Sequence, residues 1–280
     1  MSGWLDAHVH VWEAADAIWV RDKVAALSGA FPLAALEPLA LANGVSQVIV
    51  VQAAQTLDET RRCLAISEDS AFVAGVIGWV DLHSGELERD LELARSHPKF
   101  LGVRPLPAAT FRPGWFDDPR TREGLRRLAR AGVVVDILAV AGELSAAREA
   151  IQAASGLRAV LNHGGRPLVM CGDLGPWERE IRALGRVDGV YCKCSGLVER
   201  AGIEWNLDSV LPYLYVLFDA FGPERLMFAS NWPVLNVAAN YGGWCAALQT
   251  AFVRLGLSAH EERAITAESA RHCYGIAPPN

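Results

Sequence analysis

A single-domain (β/α)8 TIM barrel spanning residues 1–280 is the fold this sequence predicts, and three observations predict it. Eight short apolar, β-branched runs recur along the chain, bounded by Gly, Pro, Asp or Asn. Between them lie stretches that mix Leu and Ala with Arg and Glu at helical spacing. Polar residues gather at the C-terminal ends of the runs, where a barrel of parallel strands carries its chemistry.

The elements follow in order. Strands are expected at 4–11, 46–52, 72–80, 100–104, 133–138, 159–163, 189–194 and 226–230. Helices are expected at 60–68, 86–96, 121–131, 143–154, 176–184 and 207–221. Gly132 suits a helix C-cap before the fifth strand, and Gly44 can play the same part before the second. The Pro- and Gly-containing stretch 105–119 reads as a functional strand-to-helix loop. Residues 271–280, which include Pro278 and Pro279, are expected to fray. An open doubly wound sheet is the competitor, but no Gly-X-Gly-X-X-Gly follows the first strand.

Composition narrows the class of partner. With 51% hydrophobic and 21% charged residues among 280, one large core is affordable. The net charge of −6 and the lack of a basic stripe argue against nucleic acid. Six scattered cysteines without a Cys-X-X-Cys pair read as reduced thiols, so a cytoplasmic protein is expected. The N-terminus shows no signal-peptide pattern, and no apolar run approaches the ~20 residues needed to cross a bilayer. A homo-oligomer is compatible with all of this.

The strand ends hold the candidate site. His8 and His10 share one face of the first strand, because strand side chains alternate with period two. Such a pair suits one divalent metal ion, zinc for instance, or direct hydrogen bonding to substrate with no metal. Gln52 ends strand two, Trp79 and Asp81 strand three, and Arg104 strand four. Asp136 lies in strand five, His163 ends strand six, Lys193 and Ser195 close strand seven, and Asn231 closes strand eight. Arg104 carries a planar fork suited to carboxylates or vicinal oxygens, unless Asp81 or Asp136 pairs with it. Lys193, flanked by Cys192 and Cys194, is expected to point into the mouth, since burying it unpaired is costly. Trp79 and Trp232 could stack on a sugar ring or lactone, although packing is the commoner use of a tryptophan.

Five segments in order carry a resemblance. They are Leu5-Asp6-Ala7-His8-Val9-His10-Val11-Trp12, Gly102-Val103-Arg104, Leu161-Asn162-His163-Gly164-Gly165-Arg166-Pro167, Lys193-Cys194-Ser195-Gly196-Leu197 and Phe228-Ala229-Ser230-Asn231-Trp232-Pro233-Val234. Together they resemble the amidohydrolase-2 branch of the amidohydrolase superfamily, the sugar-lactone and pyrone-dicarboxylate lactonases. The resemblance implies a small-molecule lactone or sugar acid as ligand, with zinc in some members and no metal in others. It implies that residue 231 takes a proton from the attacking water, that His163 and the first two histidines steady the oxyanion, and that Arg104 and Lys193 hold substrate. The family pattern has aspartate where this chain has Asn231, and an amide cannot accept that proton. The expectation is a sugar-lactone hydrolase whose turnover is weakened at this position. Lactone isomerisation, pyrone-dicarboxylate hydrolysis and plain sugar-acid binding are the alternatives.

Overall fold

The computed structural model describes residues 3–13, 24–106 and 114–278. Eight parallel strands pair in sequence order: β1 (Trp4–Val9), β2 (Val45–Val51), β3 (Val73–Gly78), β4 (Phe100–Val103), β5 (Val134–Ile137), β6 (Ala159–Leu161), β7 (Val190–Cys194) and β8 (Leu226–Phe228). A parallel bridge between Val9 and Trp232 joins the last strand end to the first. There the Asn231 amide donates to the His8 carbonyl at 2.9 Å, and the His10 amide to the Trp232 carbonyl at 2.7 Å. Seven strands fall within the expected runs, and β2 starts one residue earlier, at Val45. Part of the loop expected at 105–119, residues 107–113, lies outside the described residues.

Helices α1 (Leu33–Ala42), α2 (Leu57–Ser67), α3 (Leu87–Arg95), α4 (Pro119–Arg130), α5 (Leu144–Ala153), α6 (Gly175–Gly185), the one-turn α7 (Val198–Ala201), α8 (Leu207–Phe221) and α9 (Tyr241–Leu255) follow the strands. Local chemistry starts several of them. Thr56 caps α2 by accepting from the Glu59 amide at 3.1 Å, and Asp118 caps α4 just before Pro119. Three of these helices, α1, the single turn α7 and α9, were not among the expected stretches. Helix α1 has only Glu37 for charge and holds Pro38, and α9 opens with Gly242 and Gly243, so neither shows the charged face used to recognise the others.

Side chains fill the barrel in layers. Leu5, Ala7, Ile49, Val51, Ile77, Val134, Val160, Tyr191, Met227 and Ala229 form an apolar cluster separate from the one under the helices. Strand alternation then carries Asp136 above Val134, Asn162 above Val160, and Lys193 above Tyr191. In β1 the register with β2 shifts between Asp6 and Val9, which puts His8 in the interior directly after Ala7.

The expectation that 271–280 frays is corrected for residues 271–278, and residues 279 and 280 lie outside the described residues. A short helix α10 (Ala259–Arg263) leads to α11 (Ser269–Tyr274), whose Ala270, Cys273 and Tyr274 join Ala267 in the interior cluster. Arg271 donates to the Ala277 carbonyl and to Gln47 Oε1, anchoring the segment against β2. Apolar residues three or four apart explain why it packs. Among the described residues, no helix is long and apolar enough to cross a membrane.

Candidate active site

The two strand-one histidines meet. His8 Nε2 lies 3.2 Å from His10 Nε2, and both rings are buried. His10 Nδ1 lies 2.8 Å from the Val51 carbonyl, which only a ring N–H can satisfy, so its Nε2 is left with the lone pair. Lys193 Nζ donates to His8 Nδ1 at 3.3 Å, which leaves the His8 proton on Nε2, facing His10. Burial, with the Lys193 and Arg104 charges, holds His8 well below the usual histidine range, and His10 is lowered to about 3 by burial and Arg104. Both are neutral imidazoles at physiological pH.

Arg104 stands beside them. Its Nη2 donates to the Gln52 carbonyl at 2.7 Å, and Gln52 Nε2 donates back to the Arg104 carbonyl at 3.1 Å. Gln52 thus positions the guanidinium. Nη1 lies 3.4 Å from His8 Nε2, and the buried Nε has no partner. Neither Asp81 nor Asp136 pairs with it. Among the described residues, no carboxylate lies within ion-pair distance of Arg104. Burial lowers its pKa to about 10, so it remains a cation. An unpaired buried cation at a strand end is suited to hold an oxygen of a ligand.

Lys193 does not reach the mouth as expected. It is fully buried below His8, with Nζ 2.5 Å from Asp136 Oδ2, and the Tyr274 hydroxyl donates to Asp136 Oδ1 at 2.6 Å. Burial lowers the lysine and the Asp136 charge opposes that, giving an ion pair enclosed by the barrel. Its link to the histidine pair runs through the ring of His8.

His163 sits just past β6 in the left-handed region, at φ 55°, with Nδ1 2.8 Å from Ser195 Oγ. Its ring centroid lies 4.6 Å from that of His8. Gly196 makes the close approach possible: at φ 69°, an added Cβ would meet His163 Cβ at 2.5 Å. Asn231 is likewise left-handed, at φ 62°, a conformation asparagine tolerates better than most residues. Its Nδ2 donates to Glu199 Oε1 at 2.7 Å.

The rings of Trp79 and Trp232 have contacts of their own. Trp79 donates its indole N–H to the Leu106 carbonyl at 2.8 Å and lines a cavity with Leu57, Leu64 and Leu93 between α2 and α3. Trp232 packs edge-on against Phe31, its ring centroid 5.6 Å away. Sequence reasoning passed over Glu199, Asp6 and Tyr274. Asp6 is buried and ties β1 to β8, accepting from the amides of His8 and Ser230 and from the Tyr241 hydroxyl. Glu199 had one signal available, as an acid placed just after β7 in a chain lacking one at 231.

The amidohydrolase family model matches residues 5–276. This chain belongs to the amidohydrolase family. It is 33% identical to an L-fucono-1,5-lactonase of Burkholderia ambifaria, over 86% of this chain and 85% of that protein. It is 32% identical to an L-fucono-1,5-lactonase of Burkholderia multivorans, over 98% and 97%. A crystal structure of a Burkholderia multivorans amidohydrolase with bound zinc superposes with a TM-score of 0.90 at 30% identity, covering 98% of this chain and 99% of that one.

The zinc in that relative invites a test of this amidohydrolase's own residues. The 3.2 Å between His8 Nε2 and His10 Nε2 would suit two ligands of one ion. The surroundings do not. Ligating histidines normally donate their second N–H to a carboxylate or carbonyl, whereas His8 Nδ1 faces the Lys193 ammonium. Arg104 adds a second cation, and position 231 offers an amide instead of an anion. Among the described residues, no group of three His, Cys, Asp or Glu is placed to hold an ion. The donor set does not fit a tightly held divalent cation.

Proposed function

We propose that this amidohydrolase opens a sugar-derived lactone, of the aldono-1,5-lactone class, by water attack on the ring carbonyl. The observation that carries the reading is Arg104: a buried guanidinium without a carboxylate partner, held by Gln52 beside the neutral pair His8 and His10. A lactone carbonyl has no charge, but its oxygen gains one as water adds. A cation fixed in place before the reaction favours the charged state over the neutral one. Arg104 Nη1 would receive that oxygen, with the His8–His10 pair and His163 as neutral hydrogen-bonding partners for it or for ring hydroxyls. The two relatives named L-fucono-1,5-lactonase support a six-carbon sugar lactone as the substrate class.

The dicarboxylate alternative is weaker. Two carboxylates call for two free cations, and Lys193 is taken by Asp136. At position 231 an amide can orient a water but cannot take its proton. A chain that depended on this residue alone would bind lactone with little turnover.

The test is release of acid from a panel of aldono- and aldarolactones, L-fucono-1,5-lactone first, followed with a pH indicator. Opening of at least one sugar lactone above the spontaneous rate is expected. If none is opened by this chain or by Asn231→Asp, hydrolysis is the wrong reaction, and isomerisation or binding takes its place.

A further inference from the structure

We infer that Glu199 supplies the general base that position 231 lacks, with Asn231 as the residue that holds it in place. The inference rests on the lactone-hydrolase reading above and names the group that removes the proton from water.

Four observations carry it. Glu199 lies in α7, the single turn directly after β7, and Asn231 lies directly after the neighbouring β8, so both stand at the mouth of the barrel. Asn231 Nδ2 donates to Glu199 Oε1 at 2.7 Å, while the Asn231 backbone amide is fixed by the His8 carbonyl at 2.9 Å. The carboxyl group is thereby tied to the backbone of the residue that bears the first histidine. The remaining oxygens, Glu199 Oε2 and Asn231 Oδ1, are both buried without a partner. Two adjoining groups thus each offer an unsatisfied acceptor, and an acceptor buried this way calls for a donor. A water has two protons to give, and donation to Glu199 Oε2 would leave its lone pair free to attack.

The electrostatics agree. Burial raises the Glu199 carboxyl above the usual glutamate range, opposed by the Asn231 hydrogen bond and by the charge of Arg166 from the β6 loop. Arg200 acts on Arg166 from the same short helix as Glu199. A carboxylate with raised pKa is a better base near neutral pH than an exposed one.

Glu199 takes one proton from water while the water oxygen bonds to the lactone carbonyl carbon, and the carbonyl electron pair moves onto its oxygen, beside Arg104. When that pair returns, the bond from carbon to the ring oxygen breaks. Glu199 gives its proton to the departing ring oxygen, which becomes a hydroxyl. The new acid loses its own proton to solvent.

The experiment compares the native chain, Glu199→Gln, Asn231→Asp and the double variant Glu199→Gln/Asn231→Asp on L-fucono-1,5-lactone, with thermal unfolding of each. The native chain is expected to turn over. Glu199→Gln should lose about 10²- to 10⁴-fold in kcat at an unchanged melting temperature. The double variant should recover much of that, because a carboxylate again stands at the mouth. In the native chain, kcat should also fall on acidification, with an apparent pKa above that of an ordinary glutamate, and this limb needs no variant to be read. A native chain without that limb, or Glu199→Gln within about threefold of native, overturns the role of Glu199 and leaves the hydrolase reading intact. So does a native chain that is idle while Asn231→Asp is active. If no variant opens any lactone of the panel, both readings fall together.

Discussion

Lys193 Nζ and Asp136 Oδ2 lie 2.5 Å apart inside the barrel, and neither side chain is exposed to solvent at all. Lys193 also donates to His8 Nδ1, and Asp136 also accepts from the Tyr274 hydroxyl. A continuous chain of hydrogen bonds therefore runs from the last described helix to the first histidine of the site.

Removing one member of that pair should cost far more than removing both. Lys193→Met leaves the Asp136 charge buried and unpaired, and about 3–5 kcal/mol of stability should be lost. Lys193→Met with Asp136→Asn should recover a large part, as measured by urea unfolding of the four proteins in the cycle. A double variant as unstable as the sum of the singles would show that the two charges do not act together.

Arg104→Met should reduce kcat/KM by about 10²- to 10³-fold, the usual loss when a donor to the developing oxyanion is removed. Arg104→Lys should not restore it. A single ammonium nitrogen on a shorter side chain cannot reproduce the two separate, fixed nitrogens with which the guanidinium holds the Gln52 carbonyl and stands beside His8. Steady-state kinetics on the active lactone decide the matter, and full activity in either variant would remove Arg104 from the mechanism.

Asp6 makes the fold sensitive to pH in an unusual direction. Burial raises its carboxyl to about 6, against about 3.9 in an unfolded chain. The folded protein therefore holds the proton more tightly. The stabilisation is complete below about pH 4 and is lost as pH rises through about 6. Relative to Asp6→Asn, the native chain should lose roughly 3 kcal/mol between pH 4 and pH 7. Unfolding free energies of the two proteins at several pH values test this, and a constant difference would contradict it.

Treatment with a chelator should leave lactone opening unchanged, because Lys193 and Arg104 crowd the nitrogen pair with positive charge. Asn231→Asp should bind added zinc more tightly than the native chain, by calorimetric titration, since it adds an anion beside the histidines. Loss of activity on chelation, restored by zinc, would reverse the reading of His8 and His10.

The barrel was legible in the sequence because strand alternation and apolar runs are local properties. Each of the eight strands needed only its own run of five to nine residues to be recognised. The strand ends were legible for the same reason, so His8, Gln52, Arg104 and Asn231 were found by position. What Lys193 touches was not legible. Its partners are 57 residues away at Asp136 and 185 away at His8, and their meeting depends on how the barrel closes. What Trp79 touches was not legible either: its place at a strand end left stacking and packing both open, and the indole N–H donates to the Leu106 carbonyl. Glu199 was hidden by its context, one charge among Glu199, Arg200 and Glu204 in a segment that reads as an ordinary surface turn.

Tyr274 gives the barrel a floor that arrives late. The hydrogen bond it makes to Asp136 spans 138 residues of chain, and its ring lies 5.6 Å from the Lys193 ammonium. During synthesis, strands one to eight leave the ribosome before this helix does. Until then the charged pair at the centre of the barrel lacks the Tyr274 hydroxyl that Asp136 accepts from. The mouth of the barrel is thus steadied from the opposite end, by a helix made after all eight strands.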